Sequence, residues 1–492
     1  MTLQPGTADE RVFTYAYDSA GRPTAIGSIS GIFTYGYDTN GRRTSLAYPS
    51  GITTAYVYDD AGRLTSLSHR TAGTTIASFT YSHDNVGNRT GKTFTEAEQY
   101  LYDSIYRLLT VTAARPETFS YDAVGNRQAG PGAKDTGYLH DAANRMTKGR
   151  KLTYGYDNNG NQTEKIVPSA ATGWSQSWDF ENRLIKVEKG TATDKRTVTF
   201  AYDPQGRRIE KKVETLANGS TSTETYAYVY DGDNILLEIQ TSPGGATEKT
   251  VYTHGAGVDE HLALERNGSS YFYHADGLGS IVSITDRNKA VVQSYEYDSY
   301  GMVKPSTSFR NSYTYTGREW DKETGLYYYR ARYYDPMEGR FVSRDPIGFA
   351  GGINLYSYVD SVGKPPVPQT NLYQYTENNP VNGTDPLGLF TVSEVPSLIK
   401  AGTDKLFQKL PQMAFRSALG RLLHGPASVF SFFAFPDTFA SPLQEDPRYR
   451  DLFPNVYGEP GNSPDRFGLQ YDPKSGLYLN KPVTELRNCR GN

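Results

Sequence analysis

A short motif with two aromatic residues, an aspartate and a glycine recurs along the first half of the chain. Its clearest copies read YAYDSAGRP at Tyr15, YGYDTNGRR at Tyr35, YVYDDAGRL at Tyr56 and YSHDNVGNR at Tyr81. Less regular copies continue as far as YVYDGDNIL at Tyr228. The motif aspartates from Asp18 to Asp157 lie 16 to 25 residues apart. This spacing accommodates two short strands with two turns, and it is too short for a repeat made of two helices.

The residues of the motif predict a β-hairpin. In Tyr15-Ala16-Tyr17 the two rings lie on one face, because residues two apart in a strand share a face. Asp18 can end the strand by accepting backbone hydrogen bonds, and Gly21 can supply the positive φ that closes the turn. Arg22 begins the return strand, where its stem can lie along a tyrosine ring. Because these residues recur from copy to copy, we interpret them as turn-forming rather than as sugar or metal ligands.

Composition supports a folded chain of many strands. Aromatic residues make up 13% of the sequence, with 40 Tyr and 48 Gly, whereas disordered chains are poor in aromatic residues. Single hairpins are only marginally stable, so consecutive copies must pack side by side. The sequence therefore predicts an all-β fold in which the hairpins form one extended, twisted, antiparallel sheet.

Several other classes of function are disfavoured by the sequence. The net charge is -3 and there is no basic block, so nucleic-acid binding by the repeat region is not expected. No apolar stretch approaches the roughly 20 residues of a membrane helix, and residues 1–11 lack a secretion signal. The single cysteine, Cys489, excludes an intrachain disulfide. The histidines are scattered, and we expect neither a metal nor a cofactor.

From residue 271 the sequence stops repeating. The segments Tyr271–Asp286 and Ser294–Val303 lead into a continuous string, Tyr313–Tyr358, which contains GREWDKETGLYYYRARYYDPMEGRFVSRDPIG. Together with the hairpin motif, this string resembles the YD-repeat proteins, which include Rhs proteins, toxin-complex C subunits and teneurins. The string itself resembles the Rhs repeat-associated core, and the resemblance extends over residues 11–389.

The resemblance implies a shell and a cargo. In this family the sheet curls into a hollow shell around the C-terminal polypeptide, and we expect a complete or partial shell here. We assign residues 1–270 to the repeat shell, 271–389 to the core and 390–492 to a variable C-terminal tail. Apolar spacing in the tail predicts helix over residues 395–423, and the Pro-, Gly- and Asn-rich sequence from Asp446 onward predicts irregular structure.

The resemblance also implies self-cleavage. Autoproteolytic members of the family use two aspartates and an arginine in an arrangement like that of aspartic proteases. The arginine of Arg-Tyr-Tyr-Asp-Pro corresponds to Arg332, and the two aspartates correspond to Asp345 and Asp385. The bond to be cut would join Leu389 to Phe390.

A local duplication interrupts the core. Asn354–Tyr358, with the sequence NLYSY, recurs as Asn371–Tyr375, with the sequence NLYQY, and a proline-rich spacer lies between the two. The duplication lengthens the separation of Asp345 and Asp385 to 40 residues. The sequence alone leaves open whether Asp385 keeps its place in the site.

Three functions are compatible with these features. The first is an autoprocessing shell, secreted or at the cell surface, with its own tail as enclosed cargo and with a secretion-system or toxin-complex partner and an immunity protein as further partners. The second is a non-catalytic surface scaffold that binds carbohydrate or mediates adhesion, and the third is a silent cassette. The tail contains one histidine, His424, and one cysteine, and it shows no evident toxin motif.

Overall fold

The chain is built almost wholly of antiparallel β-strands over the residues that the structure describes. This computed structural model describes residues 2–3, 11–131, 137–170, 172–305, 307–346, 372–389, 392–393, 469–472 and 477–480. The predicted all-β class is confirmed. The helical elements within these ranges are two short 3₁₀ turns, Tyr315–Gly317 and Thr376–Asn378. The helix predicted over 395–423 lies outside the described residues.

The first large sheet contains eleven strands, and each strand pairs with its neighbours in the sequence. It is preceded by a small pair, β1 (Thr2–Leu3) and β2 (Arg11–Val12). Its strands are β3 (Thr14–Tyr17), β4 (Pro23–Ser28), β5 (Gly31–Tyr37), β6 (Arg43–Ala47), β7 (Thr53–Tyr58), β8 (Leu64–Arg70), β9 (Thr75–His83), β10 (Arg89–Thr93), β11 (Ala97–Tyr102), β12 (Leu108–Thr112) and β13 (Glu117–Thr118).

The second large sheet contains sixteen strands, again in sequence order. It follows the separate pair β14 (Ser120–Tyr121) and β15 (Arg127–Ala129). Its strands are β16 (Leu139–His140), β17 (Met146–Gly149), β18 (Leu152–Tyr156), β19 (Gln162–Val167), β20 (Thr172–Trp178), β21 (Leu184–Gly190), β22 (Lys195–Tyr202), β23 (Arg208–Ala217), β24 (Ser220–Asp231), β25 (Asn234–Thr241), β26 (Thr247–His254), β27 (His261–Arg266), β28 (Ser269–Ala275), β29 (Ile281–Asp286), β30 (Val291–Tyr297) and β31 (Val303–Pro305).

The core adds a smaller sheet of four strands and a two-stranded pair. These strands are β32 (Glu319–Asp321), β33 (Leu326–Tyr329), β34 (Arg332–Asp335), β35 (Arg340–Phe341), β36 (Gly383–Thr384) and β37 (Val392–Ser393). The chain divides into two units, Met1–Ala427 and Ser428–Asn492, and the described part of the second is one hairpin. Its strands are β38 (Leu469–Asp472) and β39 (Leu477–Asn480), so the prediction of irregular structure was wrong for these residues, whose backbones pair as a hairpin. Among the described residues, no helix is long and apolar enough to cross a membrane.

The clear copies of the motif close their turns as the sequence predicts. In the first copy the amide of Gly21 donates to the carbonyl of Asp18 at 3.0 Å, and Gly21 has a φ of 74°. The Asp18 carboxylate accepts hydrogen bonds from the amide of Arg22 at 2.9 Å and from its Nε at 2.7 Å. The same contacts recur at Asp38 and Asp59. The aspartate thus fixes the turn through its backbone and its carboxylate together.

Three irregular copies use another residue in place of the glycine. Tyr106, Asn144 and Asn182 have φ values of 68°, 61° and 60°. Each occupies the same turn position, because its amide donates to the carbonyl of the motif aspartate three residues earlier. Asparagine tolerates this left-handed conformation better than tyrosine does. The hairpin is therefore retained where the sequence motif has degenerated.

The motif arginines join each hairpin to the next one. The guanidinium of Arg42 binds Asp38, lies 4.9 Å from the ring centre of Tyr58 and donates to the carbonyl of Asp59 at 3.1 Å. The sequence predicted an arginine stem along a tyrosine ring, and the ring belongs to the following hairpin. Equivalent pairs, at 4.8 to 5.5 Å, are Arg22–Tyr37, Arg107–Tyr121, Arg145–Tyr156, Arg183–Tyr202 and Arg207–Tyr230.

The residue after the motif arginine faces the other way, because adjacent residues in a strand point to opposite faces. Arg43 pairs with Glu260, and this contact joins the first large sheet to the second. Arg208 binds Asp321 at 2.5 Å and Glu319 at 2.6 Å in the four-stranded core sheet. In each pair of adjacent arginines, the first therefore joins neighbouring hairpins, which we call the hairpin ladder. The second contacts another part of the fold: Glu260 for Arg43, and the core sheet for Arg208.

A buried histidine also connects the two large sheets. The Nδ1 of His69 lies 2.7 Å from the hydroxyl of Thr54, and its Nε2 lies 2.8 Å from the carbonyl of Ala275. Burial lowers the pKa of His69 to about 4. The neutral imidazole is thus part of the folded packing.

Acid is expected to destabilise the fold through His69. Because the pKa is lower in the folded state, the unfolded chain binds the proton first, and stability falls as the pH drops from about 6.5 toward about 4. The loss is up to about 1.4 kcal/mol per pH unit. Urea unfolding at about pH 7.5 and about pH 5 would measure it. The loss should be smaller in His69→Gln, and an equal loss in both proteins would contradict this role.

Candidate active site

The three residues predicted for self-cleavage lie on neighbouring segments of the core. Arg332 begins β34, Asp345 follows β35, and Asp385 comes directly after β36. β34 and β35 pair in the four-stranded sheet, so Arg332 and the segment leading to Asp345 are held side by side. The structure brings all three side chains together.

Both carboxylates contact the same arginine nitrogen. The Nη2 of Arg332 lies 3.0 Å from Oδ2 of Asp345 and 3.1 Å from Oδ2 of Asp385. The three side chains are only 1%, 2% and 3% exposed. Two acids and one cation are therefore enclosed away from bulk water, where electrostatic interactions are strong.

The segment Asp385–Leu389 folds back on this cluster. The amide of Leu389 donates to Oδ1 of Asp385 at 2.9 Å, and Nε of Arg332 donates to the carbonyl of Gly388. Gly388 has a φ of 67°, and a Cβ there would stand 2.5 Å from the carbonyl oxygen of Tyr329. A glycine is needed to bring this backbone so close. The predicted scissile bond follows Leu389, and Phe390 lies outside the described residues.

The second copy of the Asn-Leu-Tyr element lines the site. The carbonyl of Leu372 accepts hydrogen bonds from the amide of Asp345 at 3.0 Å and from Nη1 of Arg332 at 3.1 Å. The amide of Phe341 donates to the carbonyl of Tyr373 at 2.9 Å, and the Phe341 ring lies 3.6 Å from the Arg332 guanidinium. The duplication lengthens the chain between the two aspartates without separating their carboxylates. Residues 347–371, which include the first copy, lie outside the described residues.

A cluster of buried aromatic residues adjoins the site through Phe341 and Tyr375. Its members are Tyr315, Tyr327, Tyr329, Tyr334, Phe341 and Tyr375. The hydroxyls of Tyr329 and Tyr375 lie 3.0 Å apart, and burial raises the pKa of both. For Tyr375 the negative charge of Asp385 raises the pKa further. The phenols therefore stay neutral at ordinary pH.

A second ion cluster adjoins the 385–389 segment. Nη2 of Arg330 and Nη1 of Arg318 each lie 2.7 Å from Oδ1 of Asp259, and Nη1 of Arg330 donates to the carbonyl of Pro386. Burial would raise the pKa of Asp259, but the two arginines outweigh burial and hold the pKa below its usual value. Asp259 is thus a buried anion that holds Arg330 against Pro386.

The sequence analysis named Arg332, Asp345 and Asp385 as candidate residues and did not name Asp259 and Arg330, which lie beside the 385–389 segment. Arg330 stands two residues before Arg332, and that spacing was the available signal. Asp259 lies 71 residues before Arg330 and has no local feature that could have marked it. In the part of the chain that the structure describes, no group of three or more His, Cys, Asp or Glu side chains could hold a metal ion.

Two family models match most of the repeats and most of the core. The teneurin YD-shell family matches residues 86–381, which is more than half of the chain, and the RHS repeat matches residues 37–75. The chain belongs to the Rhs-type YD-shell family. The YD-shell match includes Arg332 and Asp345 and ends before Asp385.

Bacterial relatives share part of this YD-shell chain. The tRNA3(Ser)-specific nuclease WapA of Bacillus spizizenii is 34% identical over 249 residues, which are 50% of this chain and 9% of the relative. The double-stranded DNA deaminase toxin A of Burkholderia cenocepacia is 28% identical over 267 residues, which are 50% of this chain and 17% of the relative. The chain thus spans less than a fifth of the length of either protein.

Solved structures share the fold. The crystal structure of TcdB2-TccC3-TEV superposes with a TM-score of 0.63 at 21% identity, covering 78% of this chain and 21% of that one. The Photorhabdus luminescens Tc holotoxin pore superposes with a TM-score of 0.64 at 21% identity, covering 79% of this chain and 21% of that one. At this level of identity the similarity establishes the YD-shell fold.

Proposed function

We propose that this YD shell encloses a C-terminal polypeptide and releases it by autoproteolysis between Leu389 and Phe390, as a step in toxin delivery. The observation that carries the proposal is the convergence of Asp345 and Asp385 on one nitrogen of Arg332. The same arginine holds the carbonyl of Gly388, and Asp385 holds the amide of Leu389. The acids and the backbone beside the predicted scissile bond therefore belong to one cluster.

The proposed reaction is hydrolysis by a pair of aspartates. Arg332 balances one negative charge, and a shared proton neutralises the second, because two adjacent buried carboxylates do not both ionise. The ionised carboxylate removes a proton from a water molecule, which attacks the carbonyl carbon of Leu389. The protonated carboxyl gives its proton to the nitrogen of Phe390 as the C–N bond breaks. The products are a carboxyl group on Leu389 and a free amine on Phe390.

The role of Arg332 in this reaction is electrostatic. The guanidinium has hydrogen-bond donors and no acceptor, so we assign it neither the acid nor the base role. Its Nε holds the carbonyl of Gly388 and its Nη2 holds both acids. A fixed cation in a site closed to water stabilises charge that develops as the bond is broken. Arg332 is thus proposed both to align the segment and to offset the charge of the intermediate.

The relatives support a carrier role for the shared region. One is named as a tRNA nuclease and the other as a DNA deaminase toxin, yet each aligns with 50% of this chain. A common shell with different cargoes accounts for this difference in names. We extend the proposal to residues 390–492 as cargo, to secretion or display at the cell surface, to a toxin-complex or secretion-system partner and to an immunity protein.

Intact-mass measurement of the purified full-length chain tests autoproteolysis. The expected result is two species, one ending at Leu389 and one comprising residues 390–492. Under native conditions the two pieces should elute together if the shell encloses the smaller one. A single species with the mass of the whole chain, at every incubation time, would overturn the proposal and favour the non-catalytic surface scaffold or the silent cassette.

A further inference from the structure

Arg330 occupies the two-residue turn between β33 and β34, directly beside the candidate active site. Tyr329 pairs with Arg332 across this turn, and Arg330 has a φ of 56°, a conformation that only a constrained turn imposes on a long side chain. The turn directs the Arg330 guanidinium to the carbonyl of Pro386. Pro386 directly follows Asp385, so this contact acts on the backbone of one of the two acids.

Asp259 fixes the guanidinium in this position. Nη2 of Arg330 lies 2.7 Å from Oδ1 of Asp259, and Nη1 donates to Oδ2 at 3.3 Å. The two contacts form a fork, which fixes the plane of the guanidinium as well as its place. Arg330 is 9% exposed and Asp259 is 6% exposed, so solvent screens the pair little.

The loop that carries Asp259 is itself anchored on two sides. Asp259 has a φ of 54° and also binds Arg318 at 2.7 Å. The next residue, Glu260, pairs with Arg43 of the first sheet. Arg43 of the first large sheet and Arg318, directly before β32, thus hold the loop. The Asp259 carboxylate is therefore fixed in position for its contact with Arg330.

We infer that Arg330, held by Asp259, is a positioning residue that keeps Asp385 and the Gly388–Leu389 backbone in register with Arg332. The inference rests on the proposed function. The contacts described for Arg330 are with Asp259 and Pro386, so it acts through the backbone and not on the reacting atoms. Ala331 supports the same alignment, because its amide donates to the carbonyl of Leu387 at 3.2 Å.

The cleavage rate of Arg330 variants tests the inference. Full-length chains are made by cell-free synthesis, and the fraction cleaved is followed over time on denaturing gels. Arg330→Met should slow cleavage by on the order of 10- to 100-fold, since small displacements of reacting groups cost about that much. Arg330→Lys keeps a cationic donor but not the fork, so it should recover only part of the rate. The pH profile should keep its shape in both variants, because the groups that exchange protons are unchanged.

A matched control is available in the second sheet. Arg266 is 10% exposed, lies 3.4 Å from Glu248 and donates to the carbonyl of Arg310 at 2.9 Å. Arg266→Met therefore removes a largely buried arginine, with one acidic and one carbonyl contact, away from the site; its acid Glu248 is 31% exposed. It should lower thermal stability, though less than Arg330→Met does, with cleavage close to that of the wild type. Equal slowing by Arg266→Met and Arg330→Met would overturn positioning in favour of a general loss of stability.

Hydrogen exchange separates this inference from the proposed function. In the Asp345→Asn background, which should not cleave, Arg330→Met should speed exchange of the amides of Gly388 and Leu389, and Arg266→Met should not. If the wild type never cleaves, the proposed function fails, and unchanged exchange would then reject the positioning of this segment as well. If the wild type cleaves and Arg330→Met cleaves equally fast, the inference fails alone.

Discussion

Asp385→Asn is expected to abolish release of residues 390–492 while the sheets stay folded. The asparagine oxygen can still accept the hydrogen bond that Asp385 receives from the amide of Leu389. The amide cannot take up or donate the proton that hydrolysis needs, so the rate should fall by on the order of 10⁴-fold. Denaturing gels after prolonged incubation would show the uncleaved chain, and circular dichroism would show an unchanged β-sheet spectrum.

Asp345→Asn should give the same result, because the proposed mechanism needs both acids. Asp335→Asn is the matched control, since Asp335 also precedes a proline and is buried, but it binds Lys165 at 2.6 Å instead of Arg332. Its variant should still cleave, with a loss confined to stability. Persistence of the fragment in both Asp345→Asn and Asp385→Asn would remove the pair from the mechanism.

Local chemistry made the hairpins predictable from the sequence. Asp18 and Gly21 lie three residues apart, and the turn that they form depends only on residues between them and Arg22. The same reasoning held for Asp38 and Asp59. The sheet order follows directly, because neighbouring hairpins in the sequence are neighbours in space.

Contacts between distant parts of the chain could not be predicted in the same way. Arg43 pairs with Glu260, and Arg330 pairs with Asp259. The sequence around each of these residues does not identify the residue with which it pairs. Strand alternation could have shown that the second of two adjacent arginines, such as Arg43 or Arg208, faces away from the hairpin ladder. Which acid it meets depends on how the sheets pack.

The cluster of Arg332, Asp345 and Asp385 was predictable only through the resemblance of its motifs. Arg332, Asp345 and Asp385 lie far apart in the sequence, and spacing alone could not join them. The duplication left open whether Asp385 keeps its place. The structure places Leu372, from the second copy, between Arg332 and Asp345, and this contact explains how the longer connection is accommodated.

The largest loss of stability is expected from Arg208→Met. Arg208 lies in β23 and binds Asp321 at 2.5 Å and Glu319 at 2.6 Å, with its own side chain 1% exposed. Lys211 adds a contact to Asp321 at 3.0 Å. Burial would raise the pKa of Asp321, but Arg208 and Lys211 outweigh it and hold the pKa below its usual value. The cluster joins the second large sheet to the core.

Methionine fills much of the space of the arginine stem but leaves two buried carboxylates with less compensation. Removing one partner of a buried ion pair costs about 3–5 kcal/mol, because the remaining charge is still desolvated. The unfolding midpoint in urea should fall accordingly. Fluorescence of Trp320, which lies between Glu319 and Asp321 in β32, reports on this part of the core.

The adjacent residue provides the control. Arg207 binds Asp203 at 2.6 Å in the hairpin ladder, with 29% of its side chain exposed, so Arg207→Met should cost no more than about 1 kcal/mol. Adding Glu319→Gln to Arg208→Met should recover part of the loss, because it removes one of the uncompensated charges. If Arg208→Met were no more destabilising than Arg207→Met, Arg208 would not be the main link between the second large sheet and the core. The ladder on the opposite face would then be the main support of this region.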